Sequence, residues 1–286
     1  MNYSAIIQNR KSVREFSDKQ VPHSVLTELK NYYKSSAHRL LPQLETELLF
    51  FGPESGAALE GAAGYNRFLI GAPQYMVLLA GHHDLALLNA GYLMQDLLLN
   101  LEDMGLNSCW VTFHDSDEIK QALEIHSNLN VAAIAAFGYG LKTTKRLRLN
   151  FKSMSNVDVV AKHRYMDPKR SIHDMVFLNT WGNTRNVDTH IGFFDDMLWE
   201  SFYAASLAPS YLNRQAYGFV IHEGGISLVA RPDSYNTPID GQLSLGIVML
   251  HFSAVAENWA GRLNWSFAPA RLDLPEGHQV VATLVL

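Results

Sequence analysis

Two segments, 85–104 and 243–259, decide what this 286-residue chain can fold into. Each is apolar on most faces rather than along one stripe, so each predicts a helix buried all round inside a core. A similar passage follows each of them: Gly105-Leu106-Asn107-Ser108-Cys109-Trp110 after the first, Gly261-Arg262-Leu263-Asn264-Trp265 after the second. Glycine stops the helix and the chain turns directly towards a strand. Two core helices with the same kind of exit argue for a duplicated unit whose copies pack together.

The other elements arrange themselves around these two. Val25, Leu26, Leu29, Tyr32 and Tyr33, after Pro22, have helical spacing. Strands are expected over 48–51, 74–80, 106–112 and 131–137, with a helix over 115–125 capped by Asp115 or Ser116. Residues 150–190 are polar and irregular. They read as an extended connector with a short helix over 171–177, since Met175, Val176, Phe177 and Trp181 require burial. The last third predicts a helix over 194–207 broken by Ala208-Pro209-Ser210, strands over 217–222 and 226–230, the second core helix, and a closing strand over 280–286. The class is α+β.

Charge and cysteine content exclude several kinds of function. A formal net charge of −5 argues against nucleic-acid binding. One cysteine, Cys109, excludes an internal disulfide and a cysteine-rich metal centre, and places the chain in the reducing cytoplasm. Cys109 itself reads as a small buried hydrophobe, with no cationic partner evident beside it in sequence. No secretory leader and no membrane span are expected. His82-His83-Asp84 lacks the i, i+4 spacing of helical metal ligands, so no metal site is expected. No Gly-x-x-x-x-Gly-Lys loop, Gly-x-Gly-x-x-Gly turn or Gly-x-Ser-x-Gly elbow is present.

Against this acidic background Arg10-Lys11-Ser12-Val13-Arg14-Glu15-Phe16 stands out. Two guanidinium forks and a hydroxyl within five residues suit a phosphate. On charge alone, a solvated basic loop is the plainer reading.

Three segments together resemble the FMN-dependent nitroreductase family. Arg10, Ser12, Arg14 and Phe16 meet its Arg-x-Ser-x-Arg-x-Phe pattern. Gly105-Leu106-Asn107-Ser108-Cys109-Trp110-Val111 is similar to its Gly-Leu-Gly-Ser-Cys-Trp turn, with Asn107 in place of the second glycine. Ala208-Pro209-Ser210-x-x-Asn213-x-Gln215 is similar to its Ala-Pro-Ser-x-x-Asn-x-Gln-Pro-Trp segment, with Ala216 and Tyr217 replacing Pro and Trp. In ordinary members the first and third motifs lie in the same copy. Here the third is missing after the helix of 25–33 and appears in the second copy, which lacks the first.

The resemblance implies a nitroreductase-like fold: mainly antiparallel sheets flanked by helices, in two tandem degenerate copies packed as a pseudo-dimer. Copy one would span 1–182 and copy two 183–286. Complementary loss then leaves one FMN site per chain, between the halves, without need of a second chain. Arg10, Ser12 and Arg14 would hold the phosphate and ribityl chain, with Lys11 contributing through its backbone. Val111, Thr112 and Phe113 would offer backbone N–H groups to the ring, and Trp110 either packs on the ring or fills the core. Ser210, Asn213 and Gln215 would reach across from the other half, although Asn213 and Gln215 also read as turn-capping residues. Arg146 and Arg148, after Gly138-Tyr139-Gly140, are further phosphate candidates or else a solvated loop. The implied activity is ping-pong hydride transfer from NADH or NADPH to a nitroaromatic, quinone or similar small-molecule acceptor, with no catalytic side chain demanded. The departures at Asn107, Ala216 and Tyr217 keep open an alternative, a flavin-binding sensor or carrier without efficient turnover.

Overall fold

The computed structural model describes residues 1–35, 38–141, 146–153, 156–162, 168–184, 196–268 and 270–285, with the backbone alone for 146–153 and 156–162. The first sheet contains β1 (Thr46–Phe51), β2 (Gln74–Ala80), β3 (Asn107–Val111) and β4 (Asn130–Gly138) in the antiparallel order β1-β2-β4-β3. Strand β2 is an unbroken apolar run because both of its faces are covered. Met76 and Leu78 face α4 (Ala86–Asp103), while Tyr75, Val77 and Leu79 pack with Leu59 of α3 (Ser55–Leu59) and Ile119 of α5 (Ser116–Ala122). Asp115 caps α5, its carboxylate accepting from the backbone N–H groups of Asp117 and Glu118.

The second sheet contains β7 (Val176–Leu178), β8 (Tyr217–His222), β9 (Gly225–Ala230), β10 (Trp265–Ser266) and β11 (Gln279–Leu284) in the order β10-β11-β9-β8-β7. It covers α6 (Asp196–Ser206) and α7 (Pro238–Ala260). Phe202, Phe219 and Phe252 form a ring trio there, with centroids 5.2 to 5.5 Å apart. All pairings in this sheet are antiparallel except β7 with β8, which is parallel. Strand β7 precedes residue 182 yet belongs to the second sheet, so the sheets do not divide at that boundary.

Helices α4 and α7 cross backbone to backbone. A Cβ at Gly91 would lie 2.3 Å from the Leu243 carbonyl oxygen, and one at Gly246 would lie 2.0 Å from that of Leu88. Each glycine thus faces the carbonyl three residues before the other, the reciprocity that a twofold relation between the halves produces. By length and composition alone α7 is apolar enough to cross a membrane. It is instead packed among α4, α6 and the second sheet, which is why it is apolar on all sides.

Two segments differ from the sequence reading. Residues 146–153 and 156–162 form an antiparallel ribbon, β5 (Arg146–Ser153) with β6 (Asn156–Lys162), rather than only a connector. The helix expected over 171–177 is a single 3-10 turn, Ile172–Asp174, followed by β7, because Val176 to Leu178 gain more by pairing with β8 and burying in its cores. The architecture is α+β, with two mainly antiparallel sheets flanked by helices.

Candidate functional site

The basic stretch leaves α1 (Tyr3–Asn9) at Arg10, whose N–H donates to Ile6 O and closes the helix. It then runs beside β3 as a fragment of strand. Ser12 bridges Ser108, Val13 N–H donates to Ser108 O at 3.0 Å, and Leu141 N–H donates to Glu15 O at 2.9 Å. Phe16 bridges Gly140, and Ser17 N–H donates to Tyr139 O. Asn107 explains its own departure from the family pattern: its Oδ1 accepts from Gly140 N–H at 3.1 Å and ties β3 to the end of β4.

Clipped in this way, the stretch forms one wall of a cavity of about 960 Å³. Arg10, Lys11, Ser12 and Arg14 line it, as do Val111 and Thr112 at the end of β3. Ser210 and Asn213 line it too, so residues some two hundred positions apart in sequence border one cavity. Arg10 is only 9% exposed, and among the described residues its Nε and Nη2 have no hydrogen-bond partner. Desolvation pushes its guanidinium below the ordinary value, partly opposed by the nearby Cys109 and Glu102. A buried guanidinium without an anion is costly unless something supplies one.

The far wall is held under strain. Ser210 Oγ accepts from Gln215 N–H at 3.0 Å, and Leu212, Asn213 and Gln215 all have left-handed φ values of 47°, 56° and 45°. Lys169 fixes this turn, donating to Ala208 O at 2.9 Å and to Asn213 Oδ1 at 2.7 Å, while Asn213 Nδ2 donates to Pro168 O. Lys169 lines the cavity and was not singled out from the sequence, where Pro168-Lys169-Arg170 is only a brief basic run.

Several expected contacts are corrected. Gln215 is buried behind the wall: its Nε2 donates to Ser206 O and its Oε1 accepts from Arg170 N–H, so it braces the turn and does not line the cavity. Phe113 is buried in the core below β3 and also stays out of the cavity, because its backbone bridges Ala63. Cys109 does have cationic neighbours, Arg14 and Arg10, yet burial outweighs them and pushes its thiol up. The backbone of Arg146 and Arg148 lies in β5, with their side chains outside the described residues. Trp110 touches the cavity edge, but its Nε1 donates to Gln95 Oε1 at 2.9 Å. Gln95 Nε2 meets His251 Nε2 at 2.9 Å, and His251 Nδ1 meets Ala204 O at 3.0 Å. Since a carbonyl only accepts, Nδ1 carries the imidazole proton and the whole chain has one donor order. Burial brings the His251 pKa down to about 3, so this ring is neutral. Among the described residues, no group of three or more His, Cys, Asp and Glu side chains is placed to hold a metal ion.

The family model described as "Putative TM nitroreductase" matches residues 2–178. The chain belongs to this nitroreductase family. Across its whole length the fold is similar to that of a crystal structure titled a putative nitroreductase from Thermotoga maritima, with 18% identity and a TM-score of 0.59, covering 100% of this chain and 94% of that one. A nitroreductase family protein from Clostridium novyi covers 49% of this chain and 87% of its own at 19% identity and TM-score 0.43. An FMN-dependent nitroreductase from Clostridium difficile covers 47% and 86% at 21% identity and TM-score 0.41. No curated protein matches the chain. The family match ends at β7, the edge strand of the second sheet.

Proposed function

We propose that this chain is an FMN-dependent oxidoreductase that takes hydride from NADH or NADPH and delivers it to a nitroaromatic, quinone or similar small acceptor. One observation carries the reading: buried Arg10, whose Nε and Nη2 find no hydrogen-bond partner among the described residues, lines a cavity whose second wall comes from the other half of the chain. The donor set suits a flavin phosphate, since guanidinium forks bind phosphate oxygens in pairs and stay charged at any working pH. The volume lies in the range of cofactor pockets.

The roles of the residues follow from their placement. Arg10 and Arg14 neutralise the phosphate, with Ser12 Oγ and the Lys11 backbone as further partners. Val111 and Thr112 present strand-end backbone groups to the ring edge. Ser210 and Asn213 close the opposite side, and Lys169 keeps their turn in place. When bound, FMN supplies the hydride relay between nicotinamide and acceptor. Trp110 and the buried strands behind it keep water from the inner face.

The test is the visible spectrum of the purified protein, before and after adding FMN. A yellow protein that bleaches with NADH or NADPH without oxygen is the expected result. A colourless protein that takes up no FMN would overturn the reading. A yellow protein that neither donor bleaches would leave binding without turnover.

A further inference from the structure

One end of the same cavity carries a carboxylate and aromatic rings that flavin binding, as proposed above, does not use. Asp240 lies in the first turn of α7, lines the cavity and is 5% exposed. Its Oδ2 accepts from Thr237 Oγ1 at 2.7 Å, and its backbone N–H donates back to that oxygen at 3.1 Å. The second carboxylate oxygen, Oδ1, accepts no hydrogen bond among the described residues. Ser244 Oγ donates to the Asp240 carbonyl and accepts from Tyr211 N–H, which brings the Tyr211 turn against the start of α7. His114 and Tyr211 are the titratable groups that sense Asp240.

The rings stand beside it. Tyr65 and Tyr211 have centroids 6.4 Å apart, and both line the cavity together with Phe68. The turn that carries Tyr65 and Phe68 is hung from the end of β3: Gly64 N–H donates to Thr112 O at 2.7 Å and Ala63 bridges Phe113. Its two rings are 52% and 78% exposed, an unusual cost for large apolar groups unless a flat ligand covers them. The cavity is therefore electrically two-ended. Arg10, Lys11 and Arg14 mark the end suited to phosphate, and Asp240 with its rings marks the other.

We propose that Asp240 makes this end selective for planar aromatic acceptors that carry an amino or amidinium group, and sets it against anionic ones. The inference rests on the flavin reading. Once a phosphate neutralises the arginines, and with Lys169 engaged by Ala208 O and Asn213 Oδ1, Asp240 is the buried carboxylate left lining the cavity, and a cationic N–H gives its open oxygen a charge-assisted partner. A sulfonate or carboxylate there meets like charge in a poorly hydrated site.

The test uses FMN-loaded protein and two flat probes, cationic 9-aminoacridine and anionic anthraquinone-2-sulfonate, with dissociation constants from calorimetry. Wild type is expected to prefer the cation by about tenfold or more, the scale of a hydrogen bond to a charged group. Asp240→Asn keeps an acceptor for Thr237, and should collapse the preference to within about threefold while flavin content stays the same. Tyr65→Ala should weaken both probes alike, since a ring reads shape and not the sign of that charge. Steady-state kcat/KM for amino- and sulfo-substituted quinones should follow the same order. Equal affinities in wild type, or a preference that survives Asp240→Asn in yellow, bleachable protein, would overturn this inference alone. Colourless protein would overturn it together with the flavin reading.

Discussion

Arg10 is a buried cation and His38 a partly buried one, and the fold treats them in opposite ways. His38 sits in a closed network. Its Nδ1 lies 3.2 Å from Asp96 Oδ1 and its Nε2 lies 3.2 Å from Glu257 Oε2. Tyr3 and Tyr32, the latter on α2 (His23–Ser35), donate to the two Asp96 oxygens at 2.7 and 2.9 Å. Burial alone would lower the His38 pKa, but the bonds and charges of Asp96 and Glu257 raise it to about 9. Four helices from both halves are tied together by that one charge. Among the described residues Arg10 has carboxylate influence only from Glu102, with no hydrogen bond to it, and its Nε and Nη2 find no partner. A buried charge that the protein pairs itself acts as a clamp, while one left open is a demand on a ligand.

The largest effect should come from breaking the closed network. Asp96→Ala leaves His38, Tyr3 and Tyr32 short of their shared acceptor and should cost about 3–5 kcal/mol in denaturant unfolding. A loss below about 1 kcal/mol would mean that the network is solvent-relaxed and the contrast with Arg10 is false.

Next is the open cation. Arg10→Met should weaken FMN by about a hundredfold in a titration of flavin fluorescence. The same variant without flavin should be as stable as wild type or more stable, by about 1–2 kcal/mol, because an uncompensated buried charge is gone. Inorganic phosphate should raise the melting temperature of wild type and leave the variant unmoved. Asn213→Ala should weaken FMN less, by about tenfold, through release of the turn that Lys169 holds.

The smallest effect is a pH signature with two limbs. His38 has a folded pKa of about 9, above the unfolded value of about 6.5. Its contribution is complete below that unfolded value and is lost as pH rises through the folded one. His251 has a folded pKa of about 3, below the unfolded value, so its contribution is present above about 6.5 and is lost as pH falls towards the folded value. Melting temperatures should therefore fall away on both sides of a maximum near pH 6.5, roughly. His38→Gln should flatten only the alkaline limb and His251→Gln only the acid one.

What the sequence disclosed depended on the range of the physics involved. The core helices were legible because burial all round leaves no polar stripe, and β2 because burial on both faces leaves no alternation. The start of α7 fell five residues earlier than expected, although Thr237 and Pro238 carry a cap and a first-turn proline that mark it. The β5–β6 ribbon was missed despite alternation of Arg146, Leu147, Arg148, Leu149, Asn150 and Phe151, because average polarity hid the period. Strand β7 is three residues of parallel pairing and has no local signature at all. The same division applies to the site. Arg10, Ser12, Arg14, Ser210 and Asn213 belong to motifs and could be read. Lys169 and Asp240 gain meaning only from what the tertiary fold sets opposite them, and Gln215 lost its expected place because its amide was needed to brace the turn.

Strand β7 also fixes when the cavity comes into being. Lys169 and Arg170, just ahead of it in the chain, grip Asn213 and Gln215, and among the described residues β7 itself pairs only with β8, some forty residues further on. Docking of the strand and closing of the far wall are then one event. A chain that ends before β8 keeps Lys169, Ser210 and Asn213 but lacks the strand on which β7 docks, so the far wall loses the pairing that seats it.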